Sequence, residues 1–165
     1  MNQSVATFFD FLQKRSLPVR ERTDMESIRD FEKKQQTTLP KDMCDLWLLM
    51  NGTEGACPDD LTFWRLEEIK NIPEVFTGEH NDCFDLRSPA ALPNPSDYYV
   101  FSDYLICSFF YAICLNKSDA HGRVVFIDGE SWFRCADSFS AFLESYMREA
   151  KSPHFCAILS EMESQ

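Results

Sequence analysis

Seven cysteines, three histidines and several paired carboxylates are the residues of this chain that could do chemistry. A thiolate nucleophile needs a base or cation beside it to lower its pKa. A zinc site needs four donors, mostly Cys and His at close spacing. The cysteines stand at 44, 57, 83, 107, 114, 135 and 156 without a C-x-x-C, and the histidines at 80, 121 and 154 without an H-x-x-x-H. Neither set builds a metal site or nominates a nucleophile. Cys107 and Cys114 fall in an apolar stretch and read as packing residues. His121 beside Gly122 reads as a turn residue. An odd, scattered set of thiols fits a reduced protein better than a disulfide framework, which points to the cytoplasm.

The carboxylates pair as Asp59-Asp60, Glu67-Glu68 and Asp82 with Asp85. General acid–base work needs two carboxylates in unlike environments around a cleft, and neighbouring acids on a loop read as solvated. No G-x-x-x-x-G-K-[ST] or G-x-G-x-x-G is present, so nucleotide binding has no support. The expectation is a chain with no catalytic residue, no metal and no cofactor.

Charge is the stronger signal. The net charge is −11, and residues 54–97 hold ten acids against three bases, whereas residues 1–53 hold eight of each. Such a field repels phosphate backbones, which excludes nucleic acid as the partner. It attracts a basic protein and speeds encounter with it, while also serving solubility. Asp59, Asp60, Glu67, Glu68, Glu79, Asp82 and Asp85 are therefore the candidate partner-binding residues.

These acids must be positioned by a scaffold. Val5, Phe8, Phe9 and Leu12 recur at helical spacing, and Leu17-Pro18 stops that helix. Thr23-Asp-Met-Glu26 has the form of a capping box ahead of a helix with Ile28 and Phe31 inward. Leu39-Pro40 opens a third helix over 40–50 whose stripe is Met43, Leu46, Trp47 and Met50, and Asn51-Gly52 closes it. A strand is expected at 61–66. An acidic, proline-containing connection follows at 71–97, with a short helix near Pro73 to Phe76. Strands are expected at 98–101, 105–115, 123–127 and 131–135, with Asp128-Gly129 as a hairpin signal. The 105–115 strand is apolar on both faces, as a central strand covered on both sides would be. Asp137 or Ser138 caps a final helix carrying Phe139, Phe142, Leu143, Tyr146, Met147 and Ala150. Residues 154–165 read as a short helix or a frayed tail. Trp47 reads as core; Trp64 and Trp132 read as strand core residues, with an interface anchor as the sharper alternative.

The order predicts one α+β domain over 1–165, a mainly antiparallel sheet of four to six strands with helices packed on it. The longest nearly unbroken apolar run, Tyr104 to Leu115, has 12 residues, short of the roughly 20 a membrane span needs. The N-terminus has no basic n-region and does not read as a signal peptide.

Eight short pieces in order carry a resemblance. They are Ile28-x-x-Phe31-Glu32, Leu39-Pro40, Leu49-Met50-Asn51-Gly52, Trp64-Arg-Leu-Glu-Glu-Ile69, Phe101-Ser102-Asp103, Tyr111-Ala-Ile-Cys-Leu115, Gly122 to Phe126, and Ser138-Phe139 to Phe142-Leu143. The set spans 28–143 and resembles the SUKH superfamily, which unites yeast Smi/Knr cell-wall-assembly regulators with bacterial toxin-immunity proteins. Two departures stand out: a long, irregular connection at 71–97, and Thr53-Glu54-Gly55 in place of a more glycine-rich turn. The resemblance implies a non-enzymatic binding module. Its first expectation is an immunity protein that neutralises a basic toxin domain, in many members a nuclease. The alternative is a regulatory scaffold. A small hydrolase is the third reading, with no constellation to support it.

Overall fold

Apolar residues alternate along the central strands with period two and fill both faces of the sheet. The computed structural model describes residues 1–54, 61–77, 92–104, 107–129 and 131–149, with Glu149 described by its backbone alone. Five α-helices and six strands lie within them: α1 (Gln3–Lys14), α2 (Met25–Gln35), α3 (Lys41–Trp47), β1 (Leu61–Phe63), β2 (Lys70–Asn71), α4 (Ile72–Thr77), β3 (Tyr98–Tyr104), β4 (Phe109–Cys114), β5 (Val124–Asp128), β6 (Ser131–Ala136) and α5 (Phe139–Glu149). The sheet runs β1-β3-β4-β5-β6, with β2 also on β3, and every pairing is antiparallel. The α+β class and the antiparallel sheet are as expected.

Tyr99, Phe101, Tyr111, Ile113, Val124 and Phe126 point to the face covered by α1, α2, α3 and α5. Tyr98, Val100, Phe110, Ala112, Cys114, Val125 and Ile127 point to the other, where Ile72, Val75 and Phe76 of α4 and Leu92 pack. The two-sided burial expected of the second long strand therefore extends to its neighbours. Covering both faces buries many apolar side chains at once, each contributing roughly 1.5–3 kcal/mol.

Several boundaries shift for physical reasons. Asp24, not Thr23, caps α2: its backbone is extended and its carboxylate accepts the Ser27 amide at 2.7 Å. That bond holds the Asp24 carboxyl below its ordinary pKa. The third helix stops at Trp47 because the Leu49 and Met50 amides both turn onto the Leu46 carbonyl at 2.9 Å. The strand expected at 61–66 ends at Phe63, and Leu66–Glu68 form a 3-10 turn. The strand placed at 105–115 begins at Phe109, since Cys107 adopts a left-handed φ of 61° in the turn that precedes it. Tyr98 runs on to Tyr104 instead of stopping at 101, with Phe101 as the extra residue of a bulge between Val100 and Ser102. The short helix near Pro73 to Phe76 is α4.

Ser138 rather than Asp137 caps α5, accepting the Ala141 amide at 3.1 Å; Asp137 pairs with Arg134. Asp42 of α3 adds a second cap, its Oδ2 taking the Ser140 amide at 2.8 Å and hydroxyl at 2.6 Å. Two sequence-distant helices are thereby fastened end to flank. Asp45 ties α3 to the start of α1. Burial pushes its carboxyl up, but hydrogen bonds from Lys41 and the Asn2 amide outweigh that and leave it lowered. The expected tail at 154–165 and most of the 71–97 connection lie outside the described residues.

Candidate partner-binding site

The site starts from a glycine. Gly52 has φ +80°, and a Cβ there would lie 2.6 Å from the Phe63 carbonyl oxygen and 2.8 Å from the carbonyl carbon and oxygen of Trp64. Only a residue without a side chain lets the Asn51–Thr53 turn press this closely on the end of β1. The approach is then stitched on both sides. The Thr53 amide donates to the Phe63 carbonyl at 3.0 Å, and the Phe63 amide donates to the Thr53 hydroxyl at 3.1 Å. Asn51 accepts the Leu66 amide at 2.8 Å and donates from Nδ2 to Glu67 at 3.2 Å.

The segment beyond β1 is moored to β3. The Trp64 amide donates to the Phe101 carbonyl at 2.9 Å, and its indole N–H donates to Asp103 at 2.7 Å. The second Asp103 oxygen accepts the Cys107 amide at 3.0 Å, so both oxygens of this buried carboxylate are engaged as a structural pin. The Ser102 hydroxyl donates to the Thr62 carbonyl at 2.8 Å. Trp64 is half-buried against the core on the α4 side and stacks edge-on with Phe110. It is a strand-end packing residue, and Trp132 on the edge strand β6 is likewise half-buried against that core.

Glu67 and Glu68 ride on this anchored turn. Their side chains are 60% and 52% exposed, and Arg65 lies 3.8 and 3.9 Å from them. Ion pairs this open contribute little and screen readily. The Glu68 carboxylate also accepts the Arg65 amide at 2.9 Å, closing the turn. Of the seven acids expected to bind a partner, these two are brought together. Asp59, Asp60, Glu79, Asp82 and Asp85 lie outside the described residues.

Beside the turn lies a groove of about 500 Å³. Its α2 wall carries Thr23, Ser27, Asp30, Phe31, Lys34 and Gln35, and its other wall carries Asn51, Leu66, Glu67 and Ile69. Sequence reasoning had missed Asp30 and Ser27 as site residues. The signal was present, since 27, 30 and 34 share a helix face. Only the tertiary fold says that this face meets the 66–68 turn. A second groove, about 390 Å³, lies between the end of α2 and Leu115 to Lys117, and is lined mainly by polar residues, with Asp97 already accepting from Asn116 at 2.7 Å.

Among the described residues, Cys44, Cys114 and His121 have structural surroundings; Cys57, Cys83, Cys156, His80 and His154 lie outside the described residues. Burial pushes the Cys44 thiol up to about 11, helped by the negative charges of Glu32, Asp45 and Asp42. Cys114 is raised as well, first by burial. A thiol held protonated is a poor nucleophile. Native-state alkylation of Cys44 by iodoacetamide at pH 8 is therefore expected to run about a hundredfold slower than in urea. Peptide mass mapping over time measures it, and equal rates would contradict the assigned environment. His121 donates from Nε2 to the Thr38 carbonyl at 3.0 Å and is a turn residue. Among the described residues no three His, Cys, Asp or Glu side chains converge as metal ligands. Among them, too, no helix is long and apolar enough to cross a membrane.

No curated protein matches the chain. The model of the SMI1 / KNR4 family (SUKH-1) matches residues 23–145, a span that runs from the cap of α2 through the sheet and into α5. With its helices, its antiparallel sheet and the moored turn inside that span, the chain belongs to the SMI1 / KNR4 family, SUKH-1.

Proposed function

We propose that this protein is a non-enzymatic, cytoplasmic binding module, an immunity protein that seizes a basic toxin domain and blocks its active surface. One observation carries the reading: Glu67 and Glu68 stand open to solvent on a turn that Gly52, Asn51 and Asp103 hold in place. Acids presented on a rigid frame lose little entropy on docking, and preorganisation of this kind raises affinity. The surrounding segment 54–97, with ten acids against three bases, supplies the steering field. A nuclease built to hold phosphates would meet in it a mimic of its own substrate. Membership of the family supports a binding role as such.

The same family membership also suits a regulatory scaffold, which differs in its partners: several of modest affinity instead of one tight one. Co-expression with the product of the adjacent gene separates them. The immunity reading expects a one-to-one complex that survives size exclusion and is weakened at least about tenfold by reversing Glu67 and Glu68 to Lys. It also expects the same loss on reversing Asp59 and Asp60. No complex, or one indifferent to these reversals, would refute it.

A further inference from the structure

The groove between α2 and the 66–68 turn has a chemical character of its own. Phe31, Leu66 and Ile69, nearly buried, form its apolar floor. Asp30 from α2 and Glu67 from the turn supply carboxylates on opposite walls. Asp30 is exposed, and its carboxylate makes no hydrogen bond or ion pair among the described residues. Among the described residues, Glu67 has only the Asn51 bond at 3.2 Å and the open Arg65 pair at 3.8 Å. Lys34 is the cation in the lining, one helical turn beyond Asp30.

We infer that this groove receives an arginine or lysine side chain of the protein partner, its aliphatic stem over Phe31, Leu66 and Ile69 and its charged head between Asp30 and Glu67. A long cationic side chain suits the place because it is apolar along the stem and charged only at the tip. Guanidinium is the better fit, since its fork can donate to two carboxylates in different directions. Lys34, one helical turn from Asp30, repels a cationic tip and so favours its seating on the carboxylates. The inference rests on the partner-binding reading and specifies which residue type the partner inserts.

The test uses a probe instead of the partner. Isotope-labelled protein is titrated by NMR with acetyl-Ile-Arg-Leu-amide and, separately, with acetyl-Ile-Glu-Leu-amide. The arginine peptide is expected to shift the amides of Ser27, Asp30, Asn51 and Leu66 to Ile69, saturably, and the glutamate peptide to leave them in place. Asp30→Asn with Glu67→Gln should weaken the arginine peptide about fivefold or more, and Lys34→Glu should tighten it by a similar factor. Equal shifts with both peptides, shifts centred elsewhere, or none would overturn the inference. A whole partner that binds the Asp30→Asn/Glu67→Gln protein undiminished, while still losing affinity for the Glu68→Lys protein, would also overturn it and leave the partner-binding reading intact. Absence of any partner would count against that reading instead.

Discussion

Gly52→Ala is expected to cost about 3 kcal/mol or more of folding stability, near the top of what single substitutions do. Two costs add. An alanine at φ +80° sits in the left-handed region, at about 1–2 kcal/mol. Its Cβ must also occupy space 2.6–2.8 Å from backbone atoms of Phe63 and Trp64. Those atoms cannot step aside freely, because the Phe63 carbonyl is engaged by the Thr53 amide and the Trp64 amide by Phe101. For a chain of this size that loss corresponds to a melting temperature lowered by roughly 6–12 °C. Gly129→Ala is the control. It too has positive φ, +53°, but nothing lies within 4 Å of the added Cβ, so it should lose only about 1 kcal/mol. Urea unfolding of both variants checks the contrast. Equal losses would mean that the close approach of the turn to β1 is not what makes Gly52 necessary.

Phe101→Ala should lose about 3–5 kcal/mol, the ordinary range for truncating a fully buried aromatic. Phe101 has no exposed surface. Its ring meets Phe139 and Phe142 edge-on at 5.4 Å and Phe63 at 6.2 Å. It therefore joins α5 to β1 across the sheet. The residue also sits in the bulge of β3, so that its carbonyl reaches the Trp64 amide and its ring still enters the helix-side core. Phe101→Leu should recover more than half of the loss by refilling the volume. Chemical denaturation followed by tryptophan fluorescence measures both, and a loss under about 1 kcal/mol for alanine would contradict this packing.

Much of the fold was legible because the elements announce themselves locally. The stripe of Met43, Leu46, Trp47 and Met50 gave the third helix, and the apolar run from Leu105 to Leu115 gave a strand buried on both faces, which begins only at Phe109. Boundaries were less legible where a long-range bond decides them. β1 stops at Phe63 because Asn51, fifteen residues away, captures the Leu66 amide and starts a 3-10 turn. The β3–β4 turn is set by Asp103 accepting the Cys107 amide. Asp24 outcompetes Thr23 at the start of α2 by geometry that both sequences of capping permit. For the candidate site, the acidic pattern nominated Glu67 and Glu68, and the fold places both on one exposed turn. It could not reveal Asp30, whose role depends on α2 lying against that turn. Nor could composition show that Asp103, one acid among 27, is buried and occupied in holding Trp64.

These threads meet in a division of labour. Gly52, Asn51, Ser102 and Asp103 hold the turn; Glu67 and Glu68 face outward from it, and Asp30 of α2 lies across the groove. A binding module of this kind should lose much affinity and little stability when the outward acids change, since of their bonds only those from the Arg65 amide and Asn51 support the turn.

Isothermal titration of the adjacent gene's product into wild-type protein and into the Glu67→Lys/Glu68→Lys variant, at 50 and 500 mM salt, tests this most directly. The account predicts a one-to-one complex at low salt that weakens steeply as salt rises, and a variant that stays folded, losing about 1 kcal/mol with the Glu68–Arg65 amide bond, whose affinity falls at least about tenfold. Binding equally tight in both proteins and at both salt concentrations would contradict it.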